Sequence, residues 1–140
     1  MPIYAANNEE LFLDICIPDR WDEVTAIHIQ MDAWLDTAQA DATDTFRLQI
    51  SYNSFTPGID VVSDTFADVE AETTTGIAAQ YQTYLLGFDI PVGTMKGDDL
   101  LAFRLRRIDK VVGTEITGEV IIEHMGIVFR CDKLGNPTYD

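Results

Sequence analysis

The amino-acid sequence predicts an all-β protein: a two-sheet antiparallel sandwich, jelly-roll-like, with seven or eight strands. Apolar and polar residues alternate with a period of two in several segments, which is typical of strands with one buried face. Turn-forming clusters such as PDRWDE, FTPGID and VVGTEITG separate these segments, and no segment has a convincing helical pattern. A jelly roll is favoured over an immunoglobulin-like fold because the Cys–Trp–Cys core arrangement of immunoglobulin domains is absent.

Six segments have the pattern of a strand of normal length. In chain order they are 10–18, 24–36, 46–52, 81–92, 100–108 and 119–130. The segment 119–130 is apolar on both faces, which is typical of a central strand. Residues 60–76 predict one or two short edge strands within a long acidic connection. Residues 78–82 are compatible with a single turn of helix.

The chain length of 140 residues predicts a single domain. Residues 1–9 and 132–140 lack alternation, and we expect them to extend as arms onto neighbouring molecules. No apolar run reaches the roughly 18 residues of a membrane span, and the first residues have no basic region followed by an apolar run. We therefore expect neither a membrane segment nor a secretory signal.

The formal net charge is -15, and it is unevenly distributed. Residues 1–75 contain 15 acidic and two basic residues, whereas residues 76–140 contain nine acidic and seven basic residues. Because phosphate backbones and anionic lipids repel a chain this acidic, neither nucleic acid nor a membrane surface is an expected partner.

Four of the nine cations lie within seven residues of the segment LAFRLRRIDK, at Arg104, Arg106, Arg107 and Lys110. On a strand, Arg104 and Arg106 share the face opposite Leu101, Phe103 and Leu105, while Arg107 and Lys110 are expected at or past the strand's end. One interpretation is a solvated face whose arginines pair with acids of the same molecule. The other is a subunit interface, because the guanidinium group binds carboxylates in a bidentate manner.

In the second interpretation the partner is the acidic segment DVEAE of a neighbouring copy, through Asp68, Glu70 and Glu72. A basic and an acidic surface on one small domain favour head-to-tail, cyclic assembly. The candidate interface residues are therefore the four cations, the three acids and one aromatic residue: Arg104, Arg106, Arg107, Lys110, Asp68, Glu70, Glu72 and Trp34.

The sequence contains no recognisable catalytic or metal-binding motif. No serine lies in a G-x-S-x-G turn, and His28 and His124 lie within strand patterns. Cys16 and Cys131 are too few for a disulfide scaffold or a zinc site, and we expect both to be reduced and buried. The acidic loop clusters, of which Gly97–Asp99 is the tightest, are interpreted as solvated turns rather than calcium sites. We therefore expect no enzyme activity, metal or cofactor.

Three aromatic residues are candidates for a binding surface. Trp21 lies in a turn, Trp34 lies on the polar face of its strand, and Tyr81 is similarly placed. Such side chains serve either as a stacking platform for sugar rings or as subunit contacts, and we favour subunit contacts.

The stretches ELFLDICIPDRWDE, FRLQISYNSFTPG, DVEAETTTG and LRRIDK…GEV resemble small jelly-roll structural proteins of tailed phages and related viruses. The resemblance covers roughly residues 3–135. It implies a capsid decoration or cement protein, often trimeric, that binds between major capsid subunits on the virion surface after assembly in the host cytoplasm. It also implies an alternative, a carbohydrate- or receptor-binding domain of a tail fibre. No binding residue follows from the resemblance.

Overall fold

The computed structural model describes residues 10–60 and 66–131, together with the backbone of residues 2–3. This part of the chain contains nine strands and no helix. They are β1 (Pro2–Ile3), β2 (Glu10–Cys16), β3 (Ile27–Leu35), β4 (Asp44–Phe55), β5 (Ala67–Thr74), β6 (Thr83–Ile90), β7 (Leu100–Ile108), β8 (Thr114–Glu115) and β9 (Val120–Val128). The predicted all-β class is confirmed. In these residues no helix is long and apolar enough to cross a membrane.

The strands form a four-stranded sheet in the order β1-β9-β3-β6 and a five-stranded sheet in the order β2-β7-β4-β5, to which β8 adds by pairing with β4. Leaving β8 aside, the first strand pairs with the last, the second with the second-last, and so on inward, through β1–β9, β2–β7, β3–β6 and β4–β5. This nesting of antiparallel pairs is the jelly roll, so the predicted two-sheet sandwich is confirmed. The pairing of β8 with β4 is parallel, which the sequence did not predict.

The core lies between the sheets and is formed by the inward positions of the strands. Every odd-numbered residue of β3 from Ile27 to Leu35 is buried, as are Leu101, Phe103 and Leu105 of β7. Trp21, expected in an exposed turn, is also fully buried in this core. Each fully buried Leu, Ile, Met or Phe side chain in this core contributes about 1.5–3 kcal/mol of transfer free energy.

The last long strand departs from the prediction in its position and its pattern. The sequence predicts a central strand, but β9 pairs along its length only with β3, and β1 covers it only at Val120 and Ile121. A β-bulge at Glu123 moves the inward positions from Val120 and Ile122 to Met125 and Ile127. The segment is therefore apolar on both faces because its alternation changes phase, and not because both faces are covered.

The structure defines two segments for which the sequence predicted only short elements, residues 60–76 and 78–82. Residues 67–74 form one edge strand, β5, and residues 61–65 lie outside the described residues. Residues 78–82 form a β-bridge and a turn instead of a helical turn, because Ala78 pairs with Gln39 and Tyr81 adopts a left-handed backbone conformation with a φ of 66°.

The structure describes only a small part of the predicted arms, and it shows that the two thiols are exposed. Of residues 1–9, Pro2–Ile3 form β1, and the others lie outside the described residues, as do residues 132–140. Cys16 and Cys131 are free thiols, but both are exposed, so the expectation that they are buried is wrong. Cys16 lies at an outward position of β2, and Cys131 pairs with Trp21 through its backbone beyond the end of β9.

Candidate interaction surfaces

The outward face of the five-stranded sheet carries two of the predicted cations, Arg104 and Arg106, as the alternation of β7 predicts. The register places Ser51 of β4 opposite Arg104 and Gln49 opposite Arg106. Because β4 pairs with β5 on its other side, the acidic strand lies next to these groups within the same chain.

Hydrogen bonds join the two strands' charges through β4. The Nε of Arg106 donates to Oε1 of Gln49 at 2.7 Å, and Nε2 of Gln49 donates to Oε1 of Glu70 at 2.8 Å. One row further along, the Ser51 hydroxyl donates to Oδ1 of Asp68 at 2.5 Å. Arg47 of β4 forms a close ion pair with Glu70. We call this connected set of side chains across the sheet the polar ladder.

Arg104 completes the polar ladder towards β2. Its guanidinium group lies 3.5 Å from the Glu10 carboxylate, 3.4 Å from the Ser51 hydroxyl and 5.4 Å from the centroid of the Phe66 ring. Its Nε is buried and has no hydrogen-bond partner among the described residues. The cation is thus held by a carboxylate on one side and an aromatic face on the other.

Arg104 and Arg106, together with two of the predicted acids, Asp68 and Glu70, therefore belong to one intramolecular network. The charged side chains in its ion pairs are 22–33% exposed, and cross-strand pairs contribute about 0.2–1 kcal/mol each. Pairing of the same cations with acids of a second copy stays a prediction, and it has to compete with partners that each copy already holds.

Arg107 has a different environment from its neighbours. It lies within β7, not past its end, and its side chain is 0% exposed. It donates to the Glu115 carboxylate at 2.5 Å and to the backbone carbonyl of Gly118 at 3.0 Å. The side chain therefore ties the 109–119 connection to the sandwich and offers no group to a second protein. The sequence contained this signal, because Arg107 has the same parity as Leu101, Phe103 and Leu105.

The last two charged residues among the candidates, Glu72 and Lys110, lie at the same end of the five-stranded sheet. The Glu72 carboxylate accepts a hydrogen bond from the backbone N–H of Val111 at 2.6 Å, so it anchors the loop after β7. Lys110 is half-buried and forms no ion pair with another described residue.

Trp34 lies on the outward face of the four-stranded sheet, as predicted. Its ring meets the edge of Tyr81 at a centroid distance of 5.6 Å and an interplanar angle of 69°. Ile121 of β9 is directly opposite Trp34, and Leu85 of β6 lies diagonally across from it. We call Trp34, Tyr81, Leu85 and Ile121 the aromatic corner. Leu85 and Ile121 were not among the predicted interface residues, although both are apolar residues at outward positions of their strands.

Two residues of the aromatic corner are well exposed, Trp34 and Ile121 are half-buried, and the backbone is strained at Tyr81. Tyr81 is 62% exposed and Leu85 is 64% exposed. A positive φ is rare for a bulky residue and is retained where surrounding contacts impose it. Here the backbone N–H of Tyr81 donates to the carbonyl of Leu35 at 2.8 Å, which fixes the ring beside Trp34.

The rest of this outward face combines small residues with histidine–aspartate pairs. Gly87 leaves room for the His28 ring, since a Cβ at Gly87 would lie 3.0 Å from Cε1 of His28. The Nδ1 of His28 is 2.7 Å from the Asp89 carboxylate, and that of His124 is 3.6 Å from Asp32. The described outward positions of β3, β6 and β9 carry no lysine or arginine.

A cleft of about 260 Å³ lies between the end of β4, the start of β5 and the loop after β6. Tyr52 and Phe66 line one side, and Met95 lines the other. Burial, and after it the carboxylate of Asp68, raises the pKa of Tyr52 above its ordinary value. Among the described residues no group of three or more His, Cys, Asp or Glu side chains is arranged to hold a metal ion.

No family model, curated protein or solved structure matches this chain.

Proposed function

We propose that this protein is a capsid decoration or cement protein that self-associates, as a trimer, and bridges major capsid subunits. The observation that supports the proposal best is the aromatic corner. Trp and Tyr are the residue types most enriched among those that dominate binding energy at protein interfaces. Burial of each large apolar side chain at a joint contributes about 1.5–3 kcal/mol before the costs of association.

The polar ladder indicates which face of the sandwich takes part in self-association. Its cations and acids are already paired within one copy, so the face of the five-stranded sheet gains little from a second copy. The aromatic corner has no such partner among the described residues. We therefore assign the self-association surface to the four-stranded sheet, and its mechanism to burial of apolar surface.

The test uses viral shells prepared with and without the protein. We expect the native chain to bind saturably and to raise the temperature at which shells open. Leu85→Asp introduces a charge into the aromatic corner and should abolish both effects. Val24→Asp is the matched control, because Val24 is 82% exposed and lies before the other end of β3. Shells that neither bind the native chain nor gain stability from it contradict the proposal.

The second candidate is a carbohydrate-binding domain of a tail fibre. It is favoured by the fixed, exposed Tyr81 ring beside Trp34, since aromatic rings present stacking faces to sugars. Saturable binding to a glycan array that Trp34→Ala abolishes, by a chain that remains monomeric, selects this function over the first.

A further inference from the structure

One lateral side of the sandwich is open as far as residues 10–60 and 66–131 and the strand β1 show. On the opposite side β5 and β6 contact each other and close the core. On this side no described strand pairs with the outer edge of β2, and β1 covers the outer edge of β9 at only two positions. Both strands therefore present backbone N–H and C=O groups that a further strand could pair with.

The described residues also leave the core only partly covered on this side. The inward residues Leu11, Leu13 and Ile15 of β2 are only half-buried, whereas Leu101, Phe103 and Leu105 of the neighbouring β7 are buried. Met125 and Ile127 of β9, with Phe129 after it, are half-buried as well. An unpaired backbone edge beside uncovered apolar side chains is the arrangement that extended strands add to.

The charges on β2 indicate what adds to it. Edge strands are usually protected by charged residues, especially lysine, by proline or by a bulge. The strand β2 has no lysine, proline or bulge, and its only charged residues are Glu10 and Asp14. Its outward residues are Glu10, Phe12, Asp14 and Cys16. In an antiparallel pair of two β2 strands centred on Leu13, Glu10 faces Cys16 and Asp14 faces Phe12, so no acid faces an acid. A shift of the centre by one residue either way brings two acids opposite each other.

The other edge of the same sheet does not allow this. The outward acids Asp68, Glu70 and Glu72 alternate along β5, so an antiparallel pair of β5 strands brings like charges together in every well-overlapped register. The pattern of β2 is self-complementary, and that of β5 is not.

We propose that two copies of this chain pair through β2 about a two-fold axis at Leu13. The two five-stranded sheets then become continuous, with Leu13 opposite Leu13 and Leu11 opposite Ile15 on the inner face. This contact uses surfaces separate from the aromatic corner. It does not depend on the capsid proposal, and together the two contacts would link trimers into a lattice.

The first test is disulfide trapping in a Cys16→Ser, Cys131→Ser background. Directly opposite residues of an antiparallel pair have Cα atoms about 4.5–5.5 Å apart, within disulfide reach. Leu13→Cys should therefore form a disulfide-linked dimer on mild oxidation. Ile15→Cys is the matched control, because Ile15 is also inward and half-buried. In the proposed register Ile15 lies opposite Leu11, so the two copies of residue 15 are about 13 Å apart along the strands. Ile15→Cys should form a dimer only when mixed with Leu11→Cys.

The second test changes an exposed residue and leaves the core intact. Phe12 is 66% exposed and faces Asp14 of the second copy in the proposed register. Phe12→Lys should give a dimer dissociation constant about tenfold lower than Phe12→Glu, since each dimer contains two such pairs. Equal dissociation constants, or equal trapping of Leu13→Cys and Ile15→Cys, overturn the proposal. Trapping at Leu13 by a chain that does not bind shells supports this contact and contradicts the capsid function.

Discussion

Arg106 and Arg107 are adjacent cations with opposite roles. Arg106 points outward into the polar ladder, where its side chain is 33% exposed and contacts the buried Gln49 and the Glu10 carboxylate. Arg107 points inward, where its side chain has no contact with solvent and its charge is balanced by Glu115. A single step along a strand moves a side chain between these environments, so neighbours of the same type make different contributions to stability.

We expect Arg107→Ala to lower the free energy of unfolding by about 2–4 kcal/mol, because it leaves the Gly118 carbonyl and the Glu115 carboxylate without their donor. Arg106→Ala is the comparison. It should cost less, about 1 kcal/mol, because Arg106 is 33% exposed and its loss leaves only one neutral acceptor, Oε1 of Gln49, without its donor. Urea denaturation followed by circular dichroism measures both. Equal losses for the two variants would show that the buried ion pair does not stabilise the fold.

The turns between strands impose constraints at the scale of elements. Gly113 lies in the connection from β7 to β8 with a φ of 76°, and a Cβ there would lie 2.2 Å from the Thr43 carbonyl oxygen. Gly58 has a φ of 80° but no atom within 4 Å of its would-be Cβ. The two positions share the backbone conformation and differ in the space available.

Gly113→Ala should therefore destabilise the protein more than Gly58→Ala. Left-handed backbone alone costs about 1–2 kcal/mol for a residue with a Cβ, which applies to both. The clash with Thr43 adds to this only at Gly113, and it also disturbs the pairing of β8 with β4. The difference in urea midpoint between the two variants measures the clash, and a difference of zero would mean that the 109–119 connection moves to relieve it.

Elements were predictable from the sequence where their pattern is local. The alternation of 100–108 identifies β7 and the faces of Arg104 and Arg106. The partners of those arginines were not predictable, because they depend on the register of β4 and β5, which are distant in the chain. The change of phase at Glu123 and the backbone conformation of Tyr81 are also set by tertiary contacts, so no local pattern revealed them.

For the whole molecule, charge opposes association. Each copy carries a formal charge of -15, so two copies repel each other at low ionic strength. Contacts that depend on apolar burial should strengthen as salt screens this repulsion, because the Debye length falls from about 30 Å at 0.01 M to about 3 Å at 1 M. Contacts formed by ion pairs between copies should weaken over the same range.

The most direct measurement of self-association through the aromatic corner is sedimentation velocity of the native chain, Leu85→Asp and Val24→Asp across this salt range. We expect an oligomer for the native chain and for Val24→Asp, with tighter association at high salt. We expect a smaller species for Leu85→Asp, no larger than the pair formed through β2. A native chain that stays monomeric throughout, or a Leu85→Asp variant that sediments as the native oligomer does, would contradict self-association through the aromatic corner.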